Sequence, residues 1–164
     1  MKPYSLLACL VCSLSAVALV PLRADTLGEI LEDAKLSAII GTWVDQESKG
    51  EKITMTYAWR IKDHALGLSV MTENRTSEAL IGVNPKTGEV VHTSVDSKGG
   101  AGIGTWKEKD GVATLTLLVS NAEGEEIKLK ITQQLRDDNK QLVVGMKNAE
   151  TEEGGEGTLV RKAK

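Results

Sequence analysis

The sequence predicts an all-β fold: a closed antiparallel up-and-down barrel of about nine or ten strands, preceded by one short helix. Three observations carry that reading. Apolar and polar residues alternate with period two from Ile53 onward. Turn-forming residues interrupt the alternation at short, regular spacing. Helical spacing occurs in one stretch only, ahead of Gly41. Short sequential connections favour a meander, because neighbours in sequence usually pair. An antiparallel meander must hide its edge strands, and closure into a barrel hides them fully.

The chain has 164 residues with a formal charge of −3 and 41% hydrophobic content. That size and composition fit one globular domain. A basic nucleic-acid footprint is absent, and a second domain with a dinucleotide fold has no room. Aromatic residues make up only 3%, with three Trp, two Tyr and no Phe.

Residues 1–24 read as a secretory signal peptide. Lys2 supplies the positive start, Leu6 to Val20 carries no charge, and Pro21 ends the run before Ala24. Cleavage near Ala24 would leave residues 25–164 as a single domain, secreted or periplasmic. An uncleaved segment would act as an anchor, the one membrane association the sequence offers. Leu6-Leu7-Ala8-Cys9 lies too close to the start for a lipoprotein box. Both cysteines, Cys9 and Cys12, fall inside the leader. The mature chain then has neither disulfide nor catalytic thiol, and a charge of about −5 once Lys2 and Arg23 are gone.

Each element follows from its residues. Thr26 and Glu29 stand at capping-box spacing. Leu27, Ile30, Leu31 and Ala34 follow at helical spacing, which predicts a helix over about 27–36. Ile53, Met55, Tyr57, Trp59 and Ile61 then alternate with Lys52, Thr54, Thr56, Ala58 and Arg60, the pattern of a strand with one wet face. Lys62-Asp63 turns the chain. Leu66, Leu68 and Val70 line the next strand, and Ala79, Ile81 and Val83 the one after. Asn84 to Gly88 is a turn cluster, Glu89 to Asp96 a strand, and Ser97 to Gly100 a loop. Ile103 to Lys109 leads into Asp110-Gly111, a strong hairpin signal. Leu115, Leu117 and Val119 mark one strand, Ile127, Leu129 and Ile131 another, and Leu142, Val144 and Met146 a third. A Glu- and Gly-rich loop, Thr151 to Gly155, precedes the last strand, Thr158 to Lys162. Glycines inside the strands, such as Gly102 and Gly104, suggest bulges or tight bends.

Gly41-Thr42-Trp43, just after the helix, resembles the Gly-x-Trp start of lipocalins and the wider calycin superfamily. The resemblance implies that Trp43 packs at the closed end of the barrel with Arg161, near the end of the last strand, stacked on it. More closely, the chain is similar to a lipocalin-like family of small exported bacterial domains of unknown function. The matching pieces are Gly41-Thr42-Trp43, Tyr57-Ala58-Trp59-Arg60, Ile81 to Gly88, Asp96 to Gly100, Gly104-Thr105-Trp106 and Thr158 to Arg161, which together span nearly all of residues 25–164. This resemblance implies a fold and no activity. The helix ahead of the barrel and the missing disulfides depart from many lipocalins.

The residues expected to face inward are the candidate ligand-binding set: Met55, Tyr57, Trp59, Leu68, Ile81, Trp106, Leu117, Leu129 and Met146. They read either as the lining of a pocket for a small hydrophobic ligand or as a filled core of a structural or protein-interaction domain, since a narrow barrel allows both. His64 and His92, the only histidines, read as ordinary strand-surface residues. No Cys/His/Glu spacing suits zinc and no Gly-x-Ser-x-Gly elbow is present. The sequence therefore predicts no catalytic site, no metal and no cofactor. The glycine stretches at 97–104 and 154–157 read as turns, because neither precedes a helix.

Overall fold

The structure, a computed structural model, describes residues 25–162. The leader assigned to residues 1–24 lies outside them. The described residues form one helix, α1 (Leu27–Asp33), one 3-10 turn (Ser37–Ile39) and ten strands. These are β1 (Gly41–Asp45), β2 (Ile53–Ile61), β3 (Ala65–Thr72), β4 (Thr76–Val83), β5 (Val90–Asp96), β6 (Ala101–Lys109), β7 (Val112–Ser120), β8 (Glu126–Arg136), β9 (Gln141–Asn148) and β10 (Gly154–Arg161). Each strand pairs antiparallel with the next, and β10 returns to β1, with Trp43 opposite Arg161. The result is a closed up-and-down barrel with no free edge.

The helix is shorter than its spacing predicts. Its start is the expected capping box: the Glu29 amide donates to Thr26 Oγ1 at 3.2 Å and the Thr26 amide to the Glu29 carboxylate at 2.7 Å. Its end comes early because Lys35 takes a left-handed φ of 57°. That twist swings Leu36 into the core instead of along the helix. The helix is tied to the barrel by the Gly28 amide, which donates to the Asp63 carbonyl at 3.0 Å in the β2–β3 turn. A Cβ on Gly28 would lie 2.8 Å from the Asp63 carboxylate, so glycine permits this approach.

An up-and-down barrel sends alternate connections to opposite ends. The β2–β3, β4–β5, β6–β7 and β8–β9 turns lie with α1 at one end. Asp110 and Gly111 there have φ of 54° and 77°, the pair a type I′ hairpin requires. The core is concentrated at this end, around Trp43, Tyr57, Leu66, Leu142 and Leu159. The β1–β2, β3–β4, β5–β6, β7–β8 and β9–β10 connections form the other end.

The glycine readings need correction. The one register irregularity among the described strand pairs lies between Trp59 and Ile61 on β2, not at a glycine. Residues 101–104 and 154–157 are strand rather than turn. β10 thus begins four residues ahead of the predicted Thr158, because the Asn148–Glu153 connection closes tightly on its own backbone hydrogen bonds.

Candidate functional site

The barrel interior holds a cavity of about 590 Å³ that opens at the end opposite α1. This volume lies within the range of small-molecule pockets. Of the residues expected to face inward, Met55, Leu68, Trp106, Leu117, Leu129 and Met146 line it. Met146 stands at the mouth and is 53% exposed. Tyr57, Trp59 and Ile81 share the inward parity but do not line the cavity. Tyr57 and Ile81 are buried in the core beneath its floor. Trp59 lies half-buried towards the α1 end, with the Lys62 ammonium 5.7 Å from its ring centre. Alternation assigns a face and says nothing of depth, which is why the sequence grouped all nine.

The floor is polar where the walls are apolar. His92 lines it and is only 3% exposed, which corrects its assignment to the strand surface. The β4–β5 register sets this, because His92 pairs with inward-facing Ile81. Burial pushes the imidazole down to about 4, so the ring is neutral at neutral pH. Trp106 meets it edge-on, ring centres 6.0 Å apart. Two buried atoms here, His92 Nδ1 and Trp106 Nε1, have no hydrogen-bond partner. A third polar group is engaged: Tyr57 Oη donates to Gln133 Oε1 at 2.8 Å. Burial raises the Tyr57 hydroxyl pKa and keeps it protonated.

The walls owe their space to glycine. Gly155 and Gly157 face the cavity from β10, and a Cβ built on either meets nothing within 4 Å. The mouth carries the charge. Arg75 and Asp96 form an ion pair there. Hydrogen bonds from Arg75 and from the Lys98 and Gly100 amides hold the Asp96 carboxyl below its ordinary range. Besides His92, the titratable side chains lining the cavity are Arg75, Asp96 and Glu156.

The α1 end has a different chemistry. Trp43 is 0% exposed and its indole N–H donates to the Ile39 carbonyl at 2.7 Å. The Arg161 guanidinium lies 4.3 Å from the Trp43 ring centre. It also donates to the carbonyls of Ala38 and, at 3.1 Å, Ile40. One arginine thus ties β10 to the segment entering β1 by charge-assisted bonds and a cation–π contact.

Sequence reasoning missed His92, Gln133, Gly155 and Gly157. A signal for His92 existed in its parity with Val90 and Ser94, but Val91 and Val95 occupy the opposite parity. In the barrel those two valines face outward. Hydropathy alone therefore points to the wrong face of β5.

Among the described residues, no group of three or more His, Cys, Asp or Glu is placed to hold a metal. The closed ten-strand meander is consistent with a lipocalin-like fold. No protein-family model and no curated protein matches the chain.

Proposed function

We propose that the protein is an exported binding module that holds a small apolar molecule inside its barrel. The observation that carries this is the cavity of about 590 Å³, open at one end and walled mainly by aliphatic side chains. Burial of apolar ligand surface would drive binding at roughly 25 cal/mol per Å² before association costs. Open space beside Gly155 and Gly157 supports a room for a guest over a filled core. The leader-like residues 1–24 support export.

The test uses the full chain expressed with its own leader, in whatever form the cell yields. The protein purified from its source is weighed by native mass spectrometry and again after denaturation. A reproducible excess mass lost on denaturation is expected. Titration with N-phenyl-1-naphthylamine should show one saturable site. Gly157→Leu, whose Cβ has open space around it, places a bulky side chain in the cavity and should weaken that site at least about tenfold. No carried mass together with no probe binding would overturn the reading.

A second reading has one observation in its favour. The outer face of β4–β7 exposes Leu80, Val95, Ile103 and Leu118. Leu80 and Ile103 both pair with Thr93, and Ile103 with Leu118, so the row is continuous. A protein-interaction domain would use such a face. Self-association or partner binding abolished by Ile103→Lys, with the probe site intact, would favour it.

A further inference from the structure

The two unpaired polar atoms on the cavity floor carry the argument further, and this inference rests on the cavity being a binding site. We infer that the bound molecule is neutral and bears one oxygen, a carbonyl or hydroxyl, that accepts a hydrogen bond from Trp106 Nε1–H at the cavity floor, with His92 beside it. The molecule enters oxygen first and leaves its apolar body against the walls.

The chemistry follows from what each group can do. Indole N–H is a donor only, so the missing partner of Trp106 must be an acceptor. A neutral imidazole has one N–H and one lone pair. Its Nδ1 therefore either donates to a second lone pair of the same oxygen or accepts from a hydroxyl hydrogen. Both groups are buried at the floor of an apolar-walled cavity, where an unmade hydrogen bond costs about 1–3 kcal/mol. That cost falls on any guest that leaves them unpaired, which makes the pair a device for selection rather than mere affinity. The edge-on packing of the two rings holds them together at one site.

Charge excludes the ionised alternatives. Arg75, the one cationic side chain lining the cavity among the described residues, is at the mouth and already paired with Asp96. A carboxylate carried to the floor would meet no compensating cation and would be strongly penalised. An ammonium would face two groups of which one only donates. A neutral oxygen satisfies the site without either penalty. Ordered water is the competing partner for both atoms, and it makes the opposite prediction about guests.

The experiment compares two nearly isosteric probes on the full chain by calorimetry: 2-acetylnaphthalene, which has the oxygen, and 2-isopropylnaphthalene, which lacks it. The ketone should bind about tenfold tighter or more. The indole N–H resonance of Trp106 should move downfield with the ketone and not with the hydrocarbon. In the Trp106→Phe variant the ketone should bind no tighter than the hydrocarbon does to that same variant. The comparison in the unaltered chain stands even where that variant folds poorly. Equal affinities for the two probes would overturn the oxygen-first inference and leave the cavity reading intact. Binding of neither probe would overturn both.

Discussion

Two tryptophans on the inner face of one barrel have opposite fates. Trp43, at the α1 end, has its N–H bonded to Ile39 and its ring covered by Arg161. Trp106, at the cavity floor, has a buried N–H with no partner. Every polar group around Trp43 is used internally, which is what a stabilising cluster needs. Around Trp106, its own N–H and His92 Nδ1 are buried and left unpaired. An unpaired buried donor costs stability, so its presence marks a place where the fold gives up stability for something else. The contrast divides the barrel into an end that holds the fold and an end that encloses the cavity.

The largest effect should come from deleting the N–H at Trp43. Trp43→Phe removes the bond to Ile39, leaves that carbonyl buried, shrinks the packed ring and weakens the Arg161 contact. A loss of about 2–4 kcal/mol is expected by urea denaturation. Equal costs for this variant and Trp106→Phe would break the division.

Acid should act next, through His92. Its folded pKa lies below the unfolded value, so the unfolded chain binds the extra proton between about pH 6.5 and 4. Its contribution is whole above pH 6.5 and is lost as pH falls towards 4. A loss on the order of 2 kcal/mol across that window is expected. His92→Phe should flatten that part of the profile. Asp45 and Asp96 act in a lower window, because hydrogen bonds hold both carboxyls below their ordinary range, Asp45 at about 2. Their stabilisation is present above pH 3.8 and is lost as pH falls below it. A profile flat from pH 7 to 4 would place His92 elsewhere than the buried floor.

Arg161→Met keeps much of the side-chain bulk and removes the guanidinium. Loss of its bonds to Ala38 and Ile40 and of the stack on Trp43 should cost about 1–2 kcal/mol. The urea midpoint should fall, while affinity for a naphthalene probe stays unchanged.

The smallest stability change should be that of Trp106→Phe. It loses some ring surface but also removes an unpaired buried donor, so a net change under about 1 kcal/mol is expected. Thermal melting checks this. A large loss would mean that the Trp106 N–H has a structural partner after all.

Much of the fold was legible from particular residues. Thr26 and Glu29 announced the helix start, Asp110-Gly111 a hairpin, and Met55, Tyr57 and Trp59 an inward face. The candidate site was legible in part. Residues such as Met55 and Leu117 line the cavity, but Tyr57 and Ile81 share their pattern and lie below it. Alternation carries one bit per residue, inside or outside. Depth along the barrel is a sum of strand tilts and registers that no single strand encodes.

By itself the sequence determined the elements, because capping, turn geometry and period-two hydropathy are local properties of neighbouring residues. It also determined that the strands would run up and down, since the short connections allow little else. Tertiary structure alone decided which side of β5 faces in. The β4–β5 pairing sets His92 in register with inward-facing Ile81 and turns Val91 and Val95 outward, against their hydropathy. Pairing across the sheet is a non-local constraint: each strand takes the face its neighbours impose, and the polar floor of the cavity follows from that.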